Sequence, residues 1–347
     1  MSLARDFDLN CGDLPTGAHN AITDVPGVAV GHRTLATADV LTGFTAVLPH
    51  QGNLYRRKVP AAVHVINGFG KSAGLMQVDE VGTVETPILL TNTFAVGTGV
   101  NALVRRAVAA NPDIGRRTAT VNPVVLECND GWLSDIQAMA LQEQDAVAAI
   151  DGAAGGGVAQ GAVGAGAGMS AFGFKAGIGT ASRCLAFDGR PFHFGVLVLA
   201  NFGRAGDLML PDGRRPQPPP ASQDASAERG SVIVAAATDV PLDHRQLRRV
   251  IRRCGAGLAR LGSVWGHGSG DIALGFCTAW VIDHDEPRDL IPVAMLNETR
   301  IDPLFRAAAE TTREAVLNAL CAAPATVGWR GHGRPSLADW LAKEAAP

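Results

Sequence analysis

The strongest constraint on this chain is an abrupt change of texture at residue 231. Residues 211–230, PDGRRPQPPPASQDASAERG, hold five prolines in a polar remainder, a composition that cannot bury enough apolar surface to order itself and reads as an exposed, disordered connector. It stops at Ser231-Val-Ile-Val-Ala-Ala-Ala-Thr238, a compact apolar run that reads as a buried strand. Next, Pro241 can open a helix in which Leu247, Val250, Ile251, Cys254, Leu258 and Leu261 form one apolar stripe at i, i+3, i+4, i+7, i+11 and i+14. A strand and a stripe of this kind need apolar partners from the residues before the connector. The length of 347 residues allows roughly two domains, or one large one.

The first 200 residues supply such partners. Short apolar runs bounded by Gly, Pro and Asn read as strands: Val28 to Val30, Phe44 to Leu48, Ala61 to Ile66, Ile88 to Leu90, Val121 to Leu126 and Phe194 to Leu199. Gly99 to Ala110 and Leu133 to Ile150 have helical composition. Later, Ile272 to Ile282 reads as a buried strand, and Phe305, Ala308, Thr312, Val316 and Leu320 mark a second amphipathic helix. Residues 152–179 carry 11 glycines. So few side chains cannot build a core, and these glycines are expected to permit close backbone packing or positive φ.

Composition removes several function classes. With 30 basic and 33 acidic residues the net charge is −3, so neither nucleic acid nor an anionic membrane is an expected partner. Arg245, Arg248, Arg249, Arg252 and Arg253 cover the polar side of the striped helix and read as a solvated face or subunit contact. The six cysteines are scattered without a C-x-x-C pair, which argues against a zinc ribbon, a redox motif or a disulfide framework. No secretory h-region and no membrane-spanning run is present, and the expected location is the reducing cytoplasm. Gly70-Lys71-Ser72 lacks the leading glycine of a phosphate loop, because Val65 stands there. The glycine-rich segment completes no dinucleotide fingerprint after a strand. Histidine pairs of the metallohydrolase type are also missing. No cofactor and no metal are expected.

Three places can carry chemistry. At Gly230-Ser231, a serine opens a buried strand behind a residue without a Cβ, so its hydroxyl is suited to attack its own preceding carbonyl. An N-to-O acyl shift and hydrolysis would free Ser231 as a new amino terminus, with its nucleophile and an α-amine of pKa about 7.7–8.0 in one residue. A Gly-Ser step is also common in ordinary linkers. In His267-Gly268-Ser269-Gly270-Asp271, Ser269 and Asp271 face the same side of an extended segment and could form a hydroxyl–carboxylate relay, or could cap a strand as a polar turn. Glu127-Cys128-Asn129-Asp130-Gly131 follows an apolar run, and its carboxylates could bind a cationic group or merely solvate a turn.

Together with Asn10-Cys11-Gly12-Asp13, Ile22-Thr23-Asp24-Val25-Pro26-Gly27-Val28, Asn67-Gly68-Phe69-Gly70-Lys71, the run from Gly168-Met169-Ser170 to Thr180-Ala181-Ser182, and Ala200-Asn201-Phe202-Gly203, these segments resemble the self-processing aminopeptidases of the DmpA type. That family comprises L-aminopeptidase/D-amino-acid esterases and β-peptidyl aminopeptidases, and the motifs span nearly the whole chain in order. The resemblance implies an α/β (α+β) fold, a four-layer αββα sandwich like that of N-terminal nucleophile hydrolases with different strand connectivity. It implies cleavage between Gly230 and Ser231 into residues 1–230 and 231–347, a large α and a small β subunit that stay together, commonly as a tetramer of αβ units.

The resemblance also assigns roles. Ser231 matches the nucleophile, Ser269 and Asp271 its supporting serine and acid (some members carry Glu at the latter), Asn201 the oxyanion donor, and Glu127 the carboxylate that holds the free amine of a small peptide, amide or ester substrate. Asn129 stands where some members place a tyrosine near the oxyanion; the chain's single tyrosine is Tyr55, far away in sequence. Two alternatives accompany the aminopeptidase reading: an acyltransferase of the ornithine acetyltransferase-like type, which normally processes before Thr, and a non-catalytic scaffold of the same fold.

Overall fold

Two sheets lie face to face, with helices on their outer sides. The computed structural model describes residues 2–219 and 229–344. Its main strands are β1 (Ala29–Ala36), β2 (Leu41–Leu48), β3 (Arg57–Gly68), β4 (Ile88–Asn92), β5 (Val124–Cys128), β6 (Ile178–Phe187), β7 (Arg190–Asn201), β8 (Arg229–Thr238) and β9 (Gly268–Cys277). Its main helices are α1 (Val96–Ala110), α2 (Glu143–Asp151), α3 (His244–Ile251), α4 (Cys254–Ala259) and α5 (Asp302–Cys321). The small sheet has the order β1-β2-β4-β5. The large one runs β3-β9-β8-β7-β6, with the short strands Thr83–Val84 and Ile282–Asp283 both paired to β3. Within the large sheet β8 and β9 are parallel, and their neighbours pair antiparallel.

The run after the connector is apolar at consecutive positions because β8 is covered on both faces. Ile233, Ala235 and Ala237 join a core with Val47, Ile88, Leu90, Val124 and Leu126 of the small sheet. Val232, Val234 and Ala236 join Leu247, Val250, Ile251 and Leu258 on the helical side. A third core lies outside the small sheet, where Phe44, Leu89 and Val125 meet Leu103 of α1 and Ala146 and Ile150 of α2. The order of layers is helix, sheet, sheet, helix, the αββα sandwich expected. Burying Val232, Ile233 and Val234 alone contributes roughly 5–9 kcal/mol before entropic costs, and all three are fully buried.

Four expectations need adjustment. Leu133 to Ile150 is not one helix: a 3-10 turn at Ile136–Ala138 ends where Met139 takes φ +42°, and α2 begins only at Glu143. Asp135 caps that turn and Asp145 accepts the Gln142 N–H, so local side-chain bonds break the helix in two. The striped helix begins at His244, not Pro241, because Asp243 caps it by accepting the Gln246 N–H at 2.6 Å. It is interrupted at Arg252 and Arg253, yet all six stripe residues are fully buried. The strand expected over Ile272 to Ile282 starts at Gly268 and ends at Cys277, which moves Ser269 and Asp271 out of a turn and into β9. In the connector, Pro216 and Pro218 are buried, whereas residues 220–228 lie outside the described residues.

The arginine face is an ion-paired surface. Arg245 and Arg249 both meet Glu298, Arg248 pairs with Asp79 at 2.9 Å, and the Arg253 guanidinium lies 3.8 Å from the centre of the Phe305 ring. The glycine-rich segment performs the close packing expected of it. A Cβ on Gly179 would lie 1.9 Å from the Ala315 carbonyl oxygen, so only glycine lets α5 settle onto β6 there. Among the described residues, no helix is long and apolar enough to cross a membrane.

Candidate active site

The ends of β7, β8 and β9 place two of the expected residues, Asn201 and Ser231, side by side. Register alone sets this: Asn201 of β7 is opposite Ser231 of β8, and Ser231 is opposite Gly270 of β9. The Ser231 hydroxyl donates to the Gly230 carbonyl oxygen at 2.7 Å and accepts the Gly270 N–H at 3.2 Å. Gly230 has φ +147°, and a Cβ there would lie 2.1 Å from the Asn201 carbonyl oxygen. No other residue fits this conformation at this closeness.

Ser269 and Asp271 do share a side, and the Ser269 hydroxyl donates to Asp271 Oδ1 at 2.7 Å with both residues fully buried. Their side is not that of the Ser231 hydroxyl. Along β9, Ile272 and Leu274 face the inter-sheet core and Ala273 the helical core, so strand alternation puts Ser269 and Asp271 on the helical side and Gly270 with Ser231 on the other. Because Gly230 is opposite Ser269, the pair runs beside the Gly230–Ser231 peptide.

The small sheet supplies the facing wall. Glu127, near the end of β5, is 2% exposed. One of its oxygens accepts the Lys71 N–H at 2.9 Å and the other accepts the Thr93 hydroxyl. Gly70, just before Lys71, bridges the gap: a Cβ there would touch both Glu127 Oε1 at 3.6 Å and the Gly270 Cα at 3.8 Å. Cys128 donates its thiol to the Ser231 carbonyl at 3.3 Å, and burial pushes that thiol well above its ordinary pKa. It is a packing group rather than a nucleophile.

Asn201 is held at both ends of its side chain: Oδ1 accepts the Ser170 N–H at 3.0 Å, and Nδ2 donates to the Asn129 carbonyl at 2.8 Å. Asn129 thus touches the site through its backbone. Its exposed side chain accepts the Gly131 N–H at 2.8 Å.

Sequence reasoning gave no role to Thr93, Ser170, Lys175 or Asn67. Asn67 Nδ2 donates to the Gly266 and Ser269 carbonyls and so shapes the entry to β9. The buried Lys175 ammonium donates to the Gly166, Met169 and Ala176 carbonyls, fastening the loop that carries Ser170. Burial draws its pKa down to about 7, while the three carbonyls use all three N–H bonds of the charged form. Asn67, Ser170 and Lys175 lie within the quoted motifs; Thr93 carries no local signal.

Comparison with known proteins decides the family. The model of peptidase family S58 matches residues 20–334. The chain belongs to peptidase family S58. It is 38% identical over 354 residues to the beta-peptidyl aminopeptidase BapA of Sphingosinicella microcystinivorans, covering 95% of this chain and 88% of the relative. Among solved structures, a Burkholderia sp. beta-aminopeptidase matches with TM-score 0.88 at 36% identity over the whole of both chains. The L-aminopeptidase D-Ala-esterase/amidase of Ochrobactrum anthropi, described as a prototype of the serine aminopeptidases and a variant of the Ntn hydrolase fold, matches with TM-score 0.89 at 35% identity over 99% of each. This S58 member is therefore a peptide hydrolase of the self-processing aminopeptidase kind, and nothing among these relatives supports the acyltransferase alternative.

Proposed function

We propose that the chain cuts itself between Gly230 and Ser231 and then removes amino-terminal residues from small peptides, amides or esters bearing a free amine. The observation that carries this reading is the Ser231 hydroxyl 2.7 Å from the carbonyl oxygen of a glycine whose backbone no other residue could adopt. In self-cleavage Ser231 Oγ bonds to the Gly230 carbonyl carbon, the C–N bond breaks, and the nitrogen keeps its electron pair as the Ser231 α-amine. Water then hydrolyses the ester, leaving a Gly230 carboxyl group and a free Ser231. In each turnover Oγ attacks the substrate carbonyl, its proton passes to the α-amine and on to the leaving amine, and water releases the acyl group. Asn201 Nδ2, with one N–H on Asn129, offers its second to the oxyanion. The Ser269–Asp271 pair, lying beside the cleaved peptide, orients the new α-amine rather than Oγ.

Glu127 holds the substrate ammonium, which makes a free amine a requirement, since a blocked amine would leave a buried carboxylate without its cation. The products would be residues 1–230 and 231–347, held together by both cores that β8 joins. We also propose a homo-oligomer, a tetramer of αβ units, in the cytoplasm. Leu290 and Met295, 86% and 56% exposed and five residues apart on one loop, support subunit contact, and six free cysteines suit a reducing compartment. Intact mass and amino-terminal sequencing test the cleavage: two fragments, the smaller beginning at Ser231, are expected, and an intact chain after prolonged incubation refutes it. Light scattering tests the assembly, with a mass of one αβ unit as the refuting result.

A further inference from the structure

Asp130 is fully buried and follows Asn129, whose carbonyl receives the Asn201 amide. Its carboxyl is faced by the side chains of Thr42 on β2 and Asn92 at the end of β4. Asn92 donates to Thr42 at 2.8 Å and accepts the Phe94 and Ala95 N–H groups, so it fixes the turn that presents Thr93 to Glu127. On its other flank Asp130 backs onto Gly168, where a Cβ would lie 2.9 Å from the Asp130 Cβ. Two residues further on, Ser170 donates to Asn201 Oδ1. Both segments that grip the Asn201 side chain, and the turn that braces Glu127, therefore meet at one buried aspartate, neither of whose carboxyl oxygens makes a hydrogen bond among the described residues.

We propose that Asp130 is a positioning residue for hydrolysis: it locks the Asn129 carbonyl and the Gly168–Ser170 segment against Asn92, and through them aims the Asn201 amide at the developing oxyanion. This rests on the reading of Asn201 as oxyanion donor. Burial, reinforced by the negative charge of Glu127, raises the Asp130 carboxyl to about 7. Glu127 is the charged group that acts on it; Thr42 and Asn92, from the other elements packed there, are neutral. In the protonated form Asp130 braces the donor without charge. Ionised, it sets a negative charge behind a group that must stabilise another, so the chemical step slows.

The test uses processed protein, its cleavage checked by mass, and an amino-acid p-nitroanilide with a free amine. Asp130→Ala is expected to lower kcat by about tenfold or more while KM stays within about twofold, because the donor acts in the transition state. Combined with Asn201→Ala it should slow the reaction by no more than about twofold beyond Asn201→Ala alone, since the two act as one unit. Asp130→Asn mimics the neutral acid: its kcat should lie within about threefold of wild type at pH 6, and its ratio to wild type should rise by about threefold or more by pH 8. Taking a ratio cancels the titration of the Ser231 α-amine common to both proteins. A slow Asn201→Ala with an unaffected Asp130→Ala overturns the proposal and leaves the oxyanion reading standing. Wild-type kcat in Asn201→Ala overturns both. Should Asp130→Ala fail to fold or process, the Asp130→Asn ratio decides, and a flat ratio overturns the proposal.

Discussion

Glu127→Gln is the cleanest test of why this enzyme should need a free amine. The two bonds that hold Glu127 survive the change. A glutamine oxygen can still accept the Lys71 N–H, and its NH₂ can donate to the Thr93 hydroxyl, which accepts as readily as it donates. The fold and the site's shape should therefore persist, with only the negative charge removed. At 2% exposure the carboxylate is poorly screened, so its bond to a substrate ammonium belongs with hydrogen bonds to charged groups, about 1.5–3 kcal/mol. That loss corresponds to a fall in kcat/KM of about ten- to a hundred-fold. Initial rates on processed protein with an amino-acid p-nitroanilide measure it, and the N-acetylated compound should be refused by wild type. If Glu127→Gln stays within about twofold of wild type, or wild type cleaves free and acetylated substrates equally, the ammonium contact is wrong.

Other changes probe other parts of the argument. Ser231→Ala should remain one chain on a denaturing gel, where wild type should give fragments of 230 and 117 residues; cleavage of the alanine variant at this bond refutes the self-attack. Gly230→Ala should also remain whole, because its methyl would meet the Asn201 carbonyl oxygen at 2.1 Å; normal processing would show that the site yields easily. In processed protein, Ser269→Ala and Asp271→Asn should each lower kcat more than they raise KM, with losses that do not add, and near-wild-type kcat in both removes their role. Asp130 binds its proton more tightly in the folded chain, at about 7 against 3.8 unfolded. Its contribution is complete below pH 4 and lost as pH rises through 7, by up to about 4 kcal/mol. Thermal denaturation should show a smaller decline from pH 4 to 8 in Asp130→Asn than in wild type, and identical declines refute the buried acid.

What the sequence determined by itself is what short-range periodicity and special residues can encode. The consecutive apolar positions of Val232 to Ala237 called for two covering layers, and the stripe from Leu247 to Leu261 stayed buried even where its helix breaks, since burial follows spacing rather than helix continuity. Gly230 before Ser231 marked a bond whose backbone tolerates nothing larger, and the two-residue step from Ser269 to Asp271 put their side chains together because strands alternate. The order of motifs along the chain pointed to the family. Only the tertiary structure decided that Asn201 stands opposite Ser231, that Thr93 and the Lys71 backbone brace Glu127, and that the Asn129 carbonyl receives the Asn201 amide. It alone placed Ser269 and Asp271 on the far face from the Ser231 hydroxyl. Those facts depend on strand register and sheet-on-sheet contact between residues far apart in sequence, and such pairings leave no periodic trace in any one segment.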